Sequence, residues 1–89
     1  MTRKLIVHPR IAKRHPEIKT DDVVTAWNNC TRFIPRLSNS KDDYIAIGAD
    51  SKGRMIEMVA TIDDSGSFVV YHAKTPPSSE ILKELGFPE

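Results

Sequence analysis

Residues 44–73 read YIAIG, ADSKG, RMIEMVATI, DDSG and SFVVYHA in succession. Three runs rich in β-branched and aromatic residues alternate with two stretches of Asp, Ser and Gly, the chemistry of tight turns. The spacing predicts strands over Tyr44–Gly48, Arg54–Ile62 and Ser67–Ala73. Turns at Asp50-Ser51-Lys52-Gly53 and Asp63-Asp64-Ser65-Gly66 join them into two hairpins.

Downstream, Thr75-Pro76-Pro77 stops the sheet. Ser78 or Ser79 can cap a last helix over Glu80–Leu85, and Gly86 suits its C-terminal end. Upstream, Ser38–Asp43 reads as a polar loop. Residues 31–37 suit an edge strand, where Pro35 is tolerated. Thr20 can N-cap a helix running to about Asn29, with Asp21 and Asp22 in its first turn and Val23, Val24 and Trp27 as a narrow apolar stripe. Pro9 suits the start of a short helix through Arg10–His15, which Pro16 ends. Residues 4–7 form either a short strand or an extended lead-in. The expected class is α+β: a small antiparallel sheet of three to four strands, packed by two N-terminal helices and a short C-terminal helix.

The chain has 89 residues, room for one domain, and is 39% hydrophobic and 28% charged. Its one cysteine, Cys30, excludes an internal disulfide and a CxxC zinc site. His8, His15 and His72 lack metal-ligand spacing, so neither a metal nor another cofactor is expected. Leu5-Ile6-Val7 is too short for a signal sequence or a membrane span, so a cytoplasmic protein without membrane contact is expected. Residues 1–41 hold nine Lys and Arg against three acids, and residues 42–89 hold four against nine, a balance of +6 followed by −5. That asymmetry suggests a basic face for an anionic partner, although charges also serve merely to solvate helices and loops.

Strand periodicity sets Ile56, Met58, Ala60 and Ile62 on one face, and Glu57 and Thr61 on the other with Met55 and Val59. Placing all apolar faces against the helices leaves an open face carrying Tyr44, Glu57 and Thr61. In the last strand the period does not decide whether His72 joins Phe68 and Val70. No phosphate loop, HExxH or GxSxG is present. Metal-free RNA cleavage needs a group to take the 2′-hydroxyl proton, cations for the phosphoryl oxygens and a donor for the leaving oxygen. Glu57 or His72 can move the proton; Arg54, Lys74 and the basic N-terminal segment can hold phosphate; Tyr44 or Tyr71 can donate or stack. Each also has an ordinary role: Glu57 as a solvated sheet residue, His72 at a strand end, His15 at a helix end, Arg54 beside a turn.

The run Asp43–Gly48, then Gly53–Val59, then Val69–Ala73, preceded by Arg14-His15 and a capped helix, resembles BrnT-type toxins of the RelE-like superfamily over about residues 8–85. The resemblance implies a metal-independent endoribonuclease, the toxin of a bacterial type II toxin–antitoxin pair. Its partners would be RNA and a cognate antitoxin, with oligomers formed through the antitoxin. It matches the family's GR pair to Gly53-Arg54 and its strand end to Tyr71-His72-Ala73. These positions nominate Arg54, His72 and Lys74; with Glu57 from the residue chemistry they make the catalytic candidates, and Arg14, His15, Tyr44 and Tyr71 are the candidates for substrate binding. The rival expectation is a non-catalytic domain that binds protein or nucleic acid through the same sheet face.

Overall fold

A computed structural model describes residues 4–36 and 43–87. Its elements are β1 (Leu5–Val7), α1 (Arg10–Arg14), α2 (Thr20–Asn28), β2 (Cys30–Pro35), β3 (Asp43–Ala49), β4 (Met55–Ile62), β5 (Phe68–Lys74) and α3 (Ser79–Glu84). The chain is α+β as expected, but the sheet is larger: five strands in the order β1-β5-β4-β3-β2. It is also mixed, because β1 runs parallel to β5, with Leu5, Ile6 and Val7 opposite Phe68, Val69 and Val70. A three-residue strand whose partner lies some sixty positions away has no local signature, which is why a smaller, purely antiparallel sheet was expected.

The central hairpins follow the turn chemistry. Asp50 Oδ1 accepts from the N–H groups of Lys52 and Arg54, both at 2.9 Å, and Gly53 closes this turn at a φ of 80°. In the second turn Asp63 Oδ1 accepts from the N–H groups of Ser65 at 3.0 Å and Ser67 at 2.9 Å. These local carboxylate bonds compete with continued strand and fix the reversal. At the start of α2 the capping position falls on Lys19 rather than Thr20: Asp22 Oδ2 accepts from Lys19 N–H at 2.9 Å. Ser78 caps α3, its hydroxyl accepting from Ile81 N–H at 3.4 Å. The loop expected over Ser38–Asp43 lies outside the described residues except Asp43, which opens β3.

Both faces of the sheet are covered. On one, Ile11 of α1, Ile18 of the segment between the helices, and Val23 and Ala26 of α2 pack onto Ala46, Ile56, Met58, Ala60, Val70 and Ala73. On the other, α3 lays Ile81 and Leu85 on Ile45, Ile47 and Val59. The open face carrying Tyr44, Glu57 and Thr61 is therefore corrected. Ile47 pairs with Glu57 and Ile45 with Val59, whereas Tyr44 pairs with Ala60. Directly paired residues share a face, so Tyr44 lies on the side away from Glu57. Tyr44 joins Trp27, Phe33 and Phe68 in a layer of rings, Phe33 stacking on Tyr44 at 5.2 Å and meeting Phe68 edge-on at 5.5 Å. Val24, expected in the apolar stripe of α2, is instead 36% exposed. Among the described residues no helix is long and apolar enough to cross a membrane.

The seat of α2 on the sheet depends on Gly48. A Cβ there would lie 1.9 Å from the Ala26 carbonyl oxygen and 3.2 Å from Cys30 Cα, both backbone atoms that cannot swing away. Gly48→Ala is therefore expected to destabilise the protein by about 3 kcal/mol, an overpacking effect, read as a lower urea midpoint at unchanged slope.

Candidate functional site

The chemistry collects around β5, at a break in its regularity. β4 and β5 pair as Val59 with His72 and then Ala60 with Val70, leaving Tyr71 as an extra residue. Such a bulge re-aims the side chains beside it. Val70 and Ala73 stay in the core under the two N-terminal helices, while Tyr71 and His72 turn to the α3 side. β1 ends at Val7, opposite Val70, so it does not extend along Tyr71–Lys74. There α1 comes up to β5 instead.

The result is a cavity of about 330 Å³. Glu57, Val59, Tyr71 and His72 line it from the sheet, Ser78, Glu80 and Ile81 from α3 and its cap, and Arg10 and Arg36 from the flanks. A smaller hollow shares Arg10, Tyr71 and His72 and adds Arg14 and His15.

At its centre Glu57 is only 3% exposed. Its Oε2 lies 2.7 Å from His72 Nε2, and its Oε1 accepts from Ser78 N–H at 2.6 Å. Burial alone raises the Glu57 carboxyl. The bonds from His72 and Ser78 outweigh that effect and hold it below its ordinary value. An ionised carboxylate only accepts, so Nε2 carries the hydrogen, and Nδ1 becomes the acceptor nitrogen of the neutral ring. Tyr71 donates its hydroxyl to Asp43 Oδ2 at 2.9 Å. Burial and the Asp43 carboxylate push this phenol up to about 12, so it stays protonated at neutral pH. Arg36 is held by Glu84 through two bonds, Nη2 to Oε1 at 2.9 Å and Nε to Oε2 at 3.1 Å. The set offers a carboxylate–imidazole pair for moving protons, with guanidinium groups near it for an anion.

Of the residues nominated from sequence, Glu57, His72, Tyr71, Arg14 and His15 meet around these two hollows. His15 Nδ1 lies 3.6 Å from Glu17 Oε2. Lys74 is the ladder partner of Glu57, and its ammonium donates to Pro76 O at 3.1 Å. Tyr44 belongs to the ring layer on the opposite face. Arg54 reaches towards α2: Nε donates to Asp50 Oδ2 at 2.7 Å, Nη2 to Asp22 Oδ2 at 3.1 Å and Nη1 to Glu17 O at 3.1 Å. It ties the β3–β4 turn to the start of α2. Arg10, Arg36 and Glu80 were not nominated from sequence as site residues, and Ser78 was read there only as a helix cap. Arg10 and Arg36 had a signal in the basic run of residues 1–41; Ser78 and Glu80 enter only through the docking of α3. Among the described residues no group of three His, Cys, Asp or Glu is arranged to hold a metal ion.

Comparison with protein-family models, with curated proteins and with solved structures found no match. A function is therefore argued from the site.

Two stability outcomes follow. Arg54→Ala is expected to lower the melting temperature, because buried Asp50 loses its charged partner. Glu57→Gln is expected to lose about 1.5–3 kcal/mol at neutral pH, the range for hydrogen bonds to a charged group. The sign with pH follows from the depressed carboxyl. Its contribution is complete above the ordinary value of 4.5 and is lost as pH falls through and below it. Asp50 and Asp63 are also held low and add to the acid loss of the parent protein. The Glu57 share is thus the gap between parent and variant in urea unfolding, which should narrow on acidification; a gap constant with pH would contradict an ionised Glu57.

Proposed function

We propose that the chain is a metal-independent endoribonuclease, acting in the cytoplasm as the toxin of a bacterial toxin–antitoxin pair with a RelE/BrnT-like fold. The observation that carries the ribonuclease part is the buried Glu57 carboxylate 2.7 Å from His72 in a cavity flanked by Arg10 and Arg36. The toxin and antitoxin parts rest on the sequence resemblance.

In this reading His72 Nδ1 takes the proton of a ribose 2′-hydroxyl as the 2′-oxygen attacks phosphorus. The P–O5′ bond breaks, and the imidazolium returns that proton to the departing 5′-oxygen. The products are a 2′,3′-cyclic phosphate and a 5′-hydroxyl. Glu57 keeps the ring oriented and stabilises the imidazolium between the two transfers. Arg10 and Arg36 stabilise charge on the non-bridging phosphoryl oxygens. Side chains supply every group required, so cleavage should persist in EDTA.

One observation favours a second reading, a non-catalytic domain binding protein or nucleic acid through this face. Both oxygens of Glu57 are already engaged, by His72 and by Ser78 N–H, as in a purely structural anchor.

The deciding experiment is induced expression of the chain in a bacterial host, following growth and total RNA, with purified protein tested on RNA in EDTA. The ribonuclease reading expects arrest, RNA loss and cyclic-phosphate ends. His72→Ala should lower cleavage at least about a hundredfold, the usual share of a general acid–base. Normal growth and intact RNA from soluble, folded protein would favour the binding domain.

A further inference from the structure

We propose that Glu80 reads the nucleobase next to the cleaved bond and selects guanine, an inference that takes its substrate class from the ribonuclease reading.

The cavity holds two kinds of polar group. Arg10, Arg36 and His72 suit a phosphate. Glu80, a carboxylate on the first turn of α3, does not: it repels phosphate and attracts hydrogen-bond donors. Its direction is set by its neighbours. Ile81 and Leu85 are buried against the sheet, which fixes the rotation of α3. Glu84, one helical turn further on, is clamped on Arg36. Residues four apart share a helix face, so Glu80 stands on the same side, nearer the Ser78–Glu57–His72 end. It is exposed, as a residue that meets a ligand at a cavity mouth must be.

The chemistry of the bases then discriminates. On its Watson–Crick edge guanine presents two adjacent donors, N1–H and the 2-amino group, which match the two oxygens of one carboxylate. Adenine and cytosine present an amino group beside an acceptor nitrogen, and uracil a lone N–H between carbonyls. RNA read in single-stranded form exposes these edges. Tyr71, its ring held in place by Asp43, supplies a flat wall on which a base can stack. At about 330 Å³ the cavity lies at the small end of ligand pockets, fit for one nucleotide rather than a longer segment.

The test is equilibrium binding of guanosine, inosine and adenosine 3′-monophosphates to the full chain at neutral pH. Cleavage of two RNA oligonucleotides that differ in a single G or A is followed in parallel. The guanosine nucleotide should bind roughly tenfold or more tighter than the adenosine one, the discrimination of a two-bond base contact. Inosine, which lacks the 2-amino group, should fall between them, and cleavage should show the same preference. Glu80→Ala, a truncation at an exposed helix position that leaves the fold intact, should bring the guanosine-to-adenosine ratio close to one. Equal affinities in the parent protein, a ratio that survives Glu80→Ala, or no binding of any of the three overturns the inference. If neither oligonucleotide is cut while the guanosine preference and its dependence on Glu80 persist, the base site stands and the ribonuclease reading falls.

Discussion

A carboxylate buried to 3% exposure is the constraint around which half of this molecule is arranged. Left alone, a buried Glu57 would be strongly unfavourable or would neutralise itself. Two donors prevent that, and they come from different elements: His72 on the neighbouring strand and the Ser78 backbone N–H just before α3. The first donor demands the bulge at Tyr71, because regular alternation from Val70 would turn His72 to the other face. The second demands that α3 dock with its N-terminus over β4, which brings Ile81 and Leu85 onto Ile45, Ile47 and Val59. Charge pairing and apolar burial thus fix the same placement of α3. The clamp between Arg36 and Glu84 holds the far end of that helix to the end of β2.

On the opposite face small residues play the corresponding part. Gly48 lets the α2 backbone come down onto β3, and Ala46 and Ala60, both fully buried, leave room above the strands. The rings of Trp27, Phe33, Tyr44 and Phe68 close over that room, so that side chains from outer and inner strands meet across the sheet. A chain with little apolar surface to spare thereby covers both faces, using two helices and a layer of rings on one side and a six-residue helix on the other.

The hairpins and helices were legible because their signals are local: Asp and Gly at the turns, Pro and Ser at the helix ends. The faces were not. Turning the Ile45 and Ile47 face of β3 and the Ile56, Met58 and Ala60 face of β4 to the same helices assumed a sheet covered once, and the register of Ile47 with Glu57 shows that those two faces lie on opposite sides. The side taken by His72 could not be read, since a bulge breaks the period on which such a reading depends. For Arg54 half of the signal was present. Asp50 lies four residues before it, at a turn, but Asp22 comes from a distant helix, and together they make the arginine a structural tie. Glu57 and His72 were legible as residue types with suitable chemistry. Their juxtaposition belongs to the fold.

The charge asymmetry acquires its meaning from the strand order. The basic first half supplies β1 and β2, the two edges of the sheet, and the acidic second half supplies the three strands between them. Basic residues therefore flank an interior that carries carboxylates: Arg10 and Arg14 arrive on α1 beside β5, past the end of β1, and Arg36 follows β2, with the Glu57–His72 pair between them. An anion approaching this face meets Arg10, Arg36 and the exposed Glu80 at the mouth before it reaches Glu57, which is 3% exposed and already bonded to two donors. In that position Glu57 acts on its surroundings chiefly through His72, by fixing which ring nitrogen carries the proton, and presents little negative charge to a phosphate. The same burial that makes Glu57 a structural requirement keeps an acid in the middle of the sheet from cancelling the positive charge of the arginines around it.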